Sequence, residues 1–279
     1  MRVYEIDDAA GVARLIGSPR AGDASYEDSM PARLSDGRVV LVSDRGGRQG
    51  LYIASPDGAG AVPLSPAPAA SDSDPASLGR DRVIFARADT GGASRDLFVV
   101  GIDGSGLVRL TRHPADDGAP CATPDGRSVV FVSDRDGAPR LYRLSLDAAD
   151  PETTMVELSP PGATVVDGAP ACLPGGSIAF TRASEGAPAQ IYLTSAAGGQ
   201  RGVRQITDPL VLPHGAGEPV SLGDGTILIT GGPAPPPEEG GYGPRFAVYR
   251  ITEGGYNLTR VTRDGAGYND FARRLGPPS

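Results

Sequence analysis

The chain has no lysine and no tryptophan, only two histidines and two cysteines, and aromatic residues make up just 5% of its 279 positions. Each scarcity removes a class of function. Without lysine there is no Schiff-base amine and no phosphate-loop lysine. All the basic charge is arginine, which fits a bias of composition better than a functional choice. Two cysteines make neither a disulfide framework nor a zinc set. Two histidines, neither placed by sequence beside a serine or cysteine, give no supported nucleophile. No apolar stretch approaches the 18 residues of a spanning helix. The first ten residues, MRVYEIDDAA, lack the basic and apolar regions of a signal peptide. The expectation is therefore a cytoplasmic protein if the chain is complete, or a mature form without its leader. Positive charge is also in deficit: the net charge is −8 and the isoelectric point about 4.8. An acidic chain is repelled by phosphate backbones and by anionic lipid, so no nucleic-acid partner is expected and an anionic membrane surface is disfavoured.

Glycine and proline are plentiful, at 40 and 27 residues. They do not form low-complexity tracts. They recur in register with β-branched runs, as turn residues of many short strands do. Five segments align: PARLSDGRVVLVSDR (31–45), PASLGRDRVIFAR (75–87), PCATPDGRSVVFVSDR (120–135), PACLPGGSIAFTR (170–182) and PVSLGDGTILITG (219–231). Their leading prolines are 44, 45, 50 and 49 residues apart. A period of that size, filled with strands and turns, predicts a β-propeller in one domain.

Each unit parses into four strands. Strand A surrounds the proline and ends in a tight turn such as SDGR (35–38) or PDGR (124–127), where glycine accepts positive φ. Strand B is apolar throughout, as in VVLVS (39–43) and TILIT (226–230), so both of its faces must be covered. Strand C carries a large apolar or aromatic pair, as in LYIAS (51–55) and LYRLS (141–145). Strand D is short and ends in a hydroxyl, as in VRLT (108–111), with the alternation of an outer strand half in water. Complete blades are expected at about 28–65, 72–111, 117–159, 167–207 and 216–262. The ends complete the ring. RVYEI (2–6) and VARLI (12–16) read as strands C and D without an A or B, and YNDFARRLG (268–276) resembles the strand A of YEDSMPARLS (26–35). Residues 1–18 and 268–276 would share one blade, for an all-β, six-bladed propeller without open edges. The strand B of that blade is unaccounted for, so it has three strands or draws on residues beyond Ser279.

The repeat resembles that of the TolB-like, WD40-like β-propellers. Pro120, Thr123–Arg127, Ser133–Gly137 and Leu141–Tyr142 carry the likeness most fully, with Leu97–Phe98 through Leu110–Thr111 showing the second half; it runs over essentially residues 1–276. What the resemblance implies is a bacterial envelope or exported protein, periplasmic or extracellular, that binds protein partners or short peptides across the mouth of the central channel. Similar propellers also gate peptidases through a separate hydrolase domain, but this chain has no G-x-S-x-G elbow. The tryptophan that the family carries two residues after the repeat proline is missing: Arg33, Ser77, Ala122, Cys172 and Ser221 stand there. Any partner contact made by that tryptophan is not carried over.

In a propeller, the D-to-A connections and B-to-C hairpins share the face around the channel mouth. The D-to-A segments hold Asp28, Asp72, Asp74, Asp116, Asp117, Asp167, Glu218 and Asp270. Asp28, Asp72, Asp117 and Asp167 each lie three residues before a repeat proline, and the blades would converge them into an acidic ring. Two readings stand. The ring binds a basic peptide or a cation such as Ca²⁺, or each carboxylate caps its own loop. A collective negative potential persists in both, provided neighbouring arginines do not neutralise it. The Ser-Asp-Arg corners at Asp44–Arg45 and Asp134–Arg135 read as hairpin stabilisers. His113 and His214, in D-to-A loops two repeats apart, are candidate ligands of a transition metal with Asp117 or Glu218, or else solvated loop residues. Cys121 and Cys172, at nearly equivalent places in consecutive repeats, are free buried thiols or a bridge between blades. The insertion GGPAPPPEEGGYGP (231–244) reads as a recognition loop or a tolerated surface loop. The favoured function is a non-catalytic scaffold, without a cofactor, presenting its mouth to a protein or extended peptide as a monomer or within a larger assembly. The competing one is a metal-dependent lyase or hydrolase of a small ligand using His113 and His214.

Overall fold

A computed structural model describes residues 3–7, 12–16, 26–65, 70–89, 91–92, 94–159, 165–197, 202–232, 247–255 and 257–262. Five antiparallel sheets of four strands follow one another along the chain, each in the order of its sequence. Blade 1 comprises β3 (Asp28–Arg33), β4 (Val39–Ser43), β5 (Gly50–Ala54) and β6 (Val62–Pro63), preceded by β1 (Val3–Asp7) and β2 (Val12–Ile16). Blade 2 comprises β7 (Ser71–Leu78), β8 (Arg82–Ala88), β9 (Asp96–Gly101) and β10 (Val108–Arg109). Blade 3 comprises β11 (Asp117–Ala122), β12 (Ser128–Ser133), β13 (Arg140–Ser145) and β14 (Val156–Glu157). Blade 4 comprises β15 (Val165–Cys172), β16 (Ser177–Ser184), β17 (Gln190–Ser195) and β18 (Arg204–Gln205). Blade 5 comprises β19 (Ala216–Ser221), β20 (Thr226–Gly231), β21 (Ala247–Thr252) and β22 (Thr259–Arg260). One 3₁₀ turn, Pro151–Thr154, is the only helical element among the described residues.

The described residues thus form five blades, where the repeat count predicts six. The N-terminal strands β1 and β2 pair only with each other, as a two-stranded sheet. The inner strand expected for that blade at 268–276 lies outside the described residues. The inner strands β3, β7, β11, β15 and β19 lie side by side in that order, β1 runs beside β3, and no comparable contact joins β19 back to β3 among the described residues.

The hydrophobic cores lie between blades. One cluster joins blades 1 and 2 through Leu34, Val42, Val83 and Phe85, and the next joins blades 2 and 3 through Ile84, Leu97, Phe131 and Tyr142. Val130, Leu141, Ile178 and Phe180 fill the third, and Ile191, Leu193, Ile227 and Tyr249 the fourth. This is why strand B is apolar at every position: successive side chains point to opposite faces, and each face meets a different blade. Without tryptophan, the bulk comes from cross-strand aromatic pairs. Phe85 faces Phe98, Phe131 faces Tyr142 and Phe180 faces Tyr192, with centroids 5.9–6.0 Å apart.

Two backbone latches recur. An N–H near the start of each inner strand after the first donates to the residue before strand C of the preceding blade: Asp72 to Gln49, Asp117 to Arg95, Asp167 to Pro139 and Ala216 to Ala189, at 2.7–3.0 Å. Within a blade, the hydroxyl ending strand D accepts the N–H of strand C: Thr111 from Leu97, Ser159 from Leu141, Thr207 from Ile191 and Thr262 from Val248. The recurrence of a hydroxyl at the end of strand D therefore has a structural cause. Thr111 is fully buried. Replacing it with valine keeps the shape but strands the Leu97 N–H, and a loss of about 1–3 kcal/mol in urea unfolding is expected.

Candidate functional site: the channel mouth

Each inner strand breaks register at one place, between Ser29 and Ala32, Ser73 and Ala76, Gly118 and Cys121, Gly168 and Ala171, and Gly217 and Val220. The residue before the repeat proline is left-handed in all five: Met30, Asp74, Ala119, Ala169 and Glu218, with φ of 43–51°. A proline has no N–H for a ladder, so it belongs at a bulge. Non-glycine residues resist positive φ, at about 1–3 kcal/mol each, and the interlocked blades hold all five there. These bulges ring the axis. Together with the following residues they line a cavity of about 300 Å³, walled by the five repeat prolines and by Arg33, Ser77, Ser221 and Glu218.

The four repeated aspartates do not face this cavity as free carboxylates. Asp28, Asp72, Asp117 and Asp167 are all buried. Each is gripped by an arginine from the end of strand B: Arg45 at 2.7 and 2.9 Å, Arg87 at 2.6 and 2.9 Å, Arg135 at 3.0 Å to both oxygens, and Arg182 at 2.6 and 2.8 Å. Each guanidinium also lies over aromatic rings: Tyr26 and Tyr52, Phe85 and Phe98, Phe131 and Tyr142, or Phe180 and Tyr192. The condition for a collective acidic field fails, because arginine neutralises each member. The carboxylates cap no loop of their own either. They clamp strand A to strand B. Burial pushes the Asp72 carboxyl above the ordinary carboxylate range, against the pull of Arg87.

Two geometries achieve the clamp. In blades 2 and 4 the arginine stands directly across the ladder from the aspartate. In blades 1 and 3, the Ser-Asp-Arg corners, it sits two residues past the strand B serine and donates Nε–H to that Oγ at 2.9 Å. The corner aspartate accepts a backbone N–H ahead of strand A, from Glu27 to Asp44 and from Asp116 to Asp134. Arg95 adds a bridge across blades, 2.8 Å from Asp74 and 2.7 Å from Asp116. Its hydrogen bonds hold the Asp116 carboxyl below the usual range and raise its own pKa.

Of the remaining candidates, Glu218 lines the cavity. Asp270 and insertion residues 233–244 lie outside the described residues. His113 is exposed, and its Nδ1 accepts the N–H of Ala115. His214 is exposed, and its backbone N–H donates to Gly232. Among the described residues no three His, Cys, Asp or Glu side chains come together as a metal site. No helix among them is long and apolar enough to cross a membrane.

Cys121 and Cys172 are joined in a disulfide between β11 and β15, so neither is a free thiol. Cys121 is one residue after its repeat proline and Cys172 two. Side chains alternate along a strand, so the first offset faces the following blade and the second faces the preceding one. Both sulfurs therefore enter the same seam, where they pack with Val130 and Ile178. Sequence spacing holds this signal, but only once the facing of the two offsets is known.

Blades repeated about a channel make this protein a β-propeller. The 47-residue stretch that matches the Tol-Pal system protein TolB of Bordetella pertussis is 51% identical and covers 17% of the chain and 11% of that relative. TolB from Acinetobacter baumannii superposes with a TM-score of 0.68 at 15% identity, over 94% of this chain and 63% of that one. A provisional TolB from Agrobacterium tumefaciens gives 0.71 at 17%, over 93% and 87%. An oligogalacturonate lyase in complex with manganese gives 0.53 at 13%, over 97% and 86%. No family model matches the chain. At these identities the structural likenesses speak for the fold alone. In repeat and fold the chain is similar to the TolB propellers.

Proposed function

We propose that the protein is a non-catalytic scaffold that holds a protein or extended peptide at the channel mouth. The observation that carries this reading is the ring of five left-handed residue–proline bulges around an open axial cavity. Bulges re-aim side chains and withdraw backbone from its ladder, and here rigid blades fix them in advance, so little entropy is lost on binding. The relatives named TolB support a protein-binding role in general. The disulfide supports a compartment outside the cytoplasm, since such bonds persist in oxidising surroundings.

The test is site-specific photo-crosslinking in the native cell. A benzoylphenylalanine at His113 or His214, on the mouth face, is expected to give a discrete protein adduct. The same residue at Asp103, in the turn between β9 and β10 on the opposite face, is expected to give none. Equal labelling from both faces, or adducts from Asp103 alone, would discard the reading.

A further inference from the structure

Blade 5 alone lacks the aspartate–arginine clamp, and it lacks both partners at once. Ala216 stands at the aspartate position, and Gly231 is where blades 2 and 4 carry arginine. The gap is filled by the loop that enters the blade. From the hydroxyl that ends strand D to the repeat proline there are 10 positions from Ser65, 9 from Thr111, 11 from Ser159 and 12 from Thr207, so this connection is one to three residues longer than the others. The longer loop folds Leu212 into the vacated place: its methyl groups lie 3.0 Å from where a Cβ on Gly231 would stand, beside the Tyr249 ring. Leu212 is fully buried, and its carbonyl accepts from the Gln190 side chain. Asp208 holds the start of the loop through the N–H groups of Leu210, Val211 and Leu212, and Gly232 holds its end through Gly215 and His214.

A loop pinned at both ends and through its middle has no freedom to hide its tip. Leu210 is 89% exposed and Val211 51%. Prolines at 209 and 213 flank them, further restricting the backbone. Isolated exposed leucines are ordinary. An adjacent apolar pair on a loop pinned in three places is not, because the backbone cannot turn the pair inward.

We propose that Leu210 and Val211 form an apolar anchor for a protein partner that offers an apolar groove with a basic rim. The inference rests on the reading that this face is the docking face. The rim chemistry follows from charge. Asp208 is exposed beside the pair, and the blade 4 hairpin that meets the loop at Gly215 carries exposed Glu185. Neither the loop nor residues 183–189 of the hairpin contain an arginine. A second copy would bring another net charge of −8 to the contact, and an anionic bilayer would repel the chain. A basic-rimmed groove on another protein accepts both the carboxylates and the side chains between them.

The experiment pans a phage-displayed random dodecapeptide library on the full chain and titrates the recovered peptides against three proteins: the native chain, Leu210→Ser/Val211→Ser, and Glu218→Gln in the channel. Both serine replacements are on exposed side chains, and unchanged melting curves check the fold. The expected dominant peptides combine Leu, Phe or Trp with Arg or Lys. They weaken about tenfold or more on the double variant, as loss of two buried aliphatic contacts requires, and they weaken with added salt. Peptides that bind the native chain and the double variant alike would overturn this anchor, and if Glu218→Gln weakens them the channel-mouth function stands without it. Recovery of no peptide displaced from the mouth face would sink both. A dimer in sedimentation, or binding to phosphatidylglycerol vesicles, that the double variant abolishes would assign the anchor to another occupant and overturn the proposal.

Discussion

Asp72→Ala is expected to lower the stability of the protein by about 3–5 kcal/mol, because it leaves the Arg87 guanidinium buried without its counter-charge. The pair is the most enclosed of the four, with Asp72 2% and Arg87 6% exposed. Arg87 would retain Ser65 Oγ at 2.7 Å and the faces of Phe85 and Phe98, but none of these carries a full negative charge. The informative comparison is Asp72→Ala/Arg87→Leu. Removing both charges from a buried pair is far less harmful than removing one. Blade 5 is that double replacement in native form, with Ala216, Gly231 and an inserted leucine. The double variant should therefore recover most of the loss in denaturant unfolding. A single replacement costing under about 1 kcal/mol would show that the clamp is an ornament of the fold.

Reduction of Cys121–Cys172 should be the next largest effect. The bond closes a segment of 51 residues. In the chain-entropy account, freeing such a segment in the unfolded state lowers stability by about 4 kcal/mol. The seam it spans is also held by Val130, Leu141, Leu158, Ile178 and Phe180, so the reduced protein should keep its fold at room temperature. The expected result is a lower denaturant midpoint with reductant, reproduced by Cys121→Ser/Cys172→Ser, on which reductant then has no effect. An equal midpoint with and without reductant in the native protein would show that the staple contributes nothing beyond the packing around it.

Much of the architecture could be read from residues alone. The proline-led period, the apolar strand B, the Asp-Gly turns and the hydroxyl at the end of strand D all mark local geometry, and the described sheets occupy those segments. The repeat prolines also mark the bulges. A proline inside a strand implies a bulge, and five of them implied five. The candidate site was less legible. Asp28 and Arg45 are 17 residues apart, and Asp72 and Arg87 are 15. Only the register of strand A on strand B brings them together, and the bulge shifts that register by an amount the sequence does not state. Repeated aspartates near a mouth therefore read as an acidic ring until their partners are seen. Leu212 is a sharper case. No repeat position predicts it, because it fills a space that exists only when Ala216 and Gly231 face each other in a folded blade.

Periodicity was enough to establish an all-β propeller of TolB-like repeats, because turn chemistry and the two-residue alternation of strands act over a few neighbouring positions. The packing of one blade on the next decided everything else: where the carboxylates point, which thiols meet, and which leucine is buried while its neighbours stay in water. Those outcomes depend on contacts between residues far apart in the chain, and such contacts exist only after the strands have stacked.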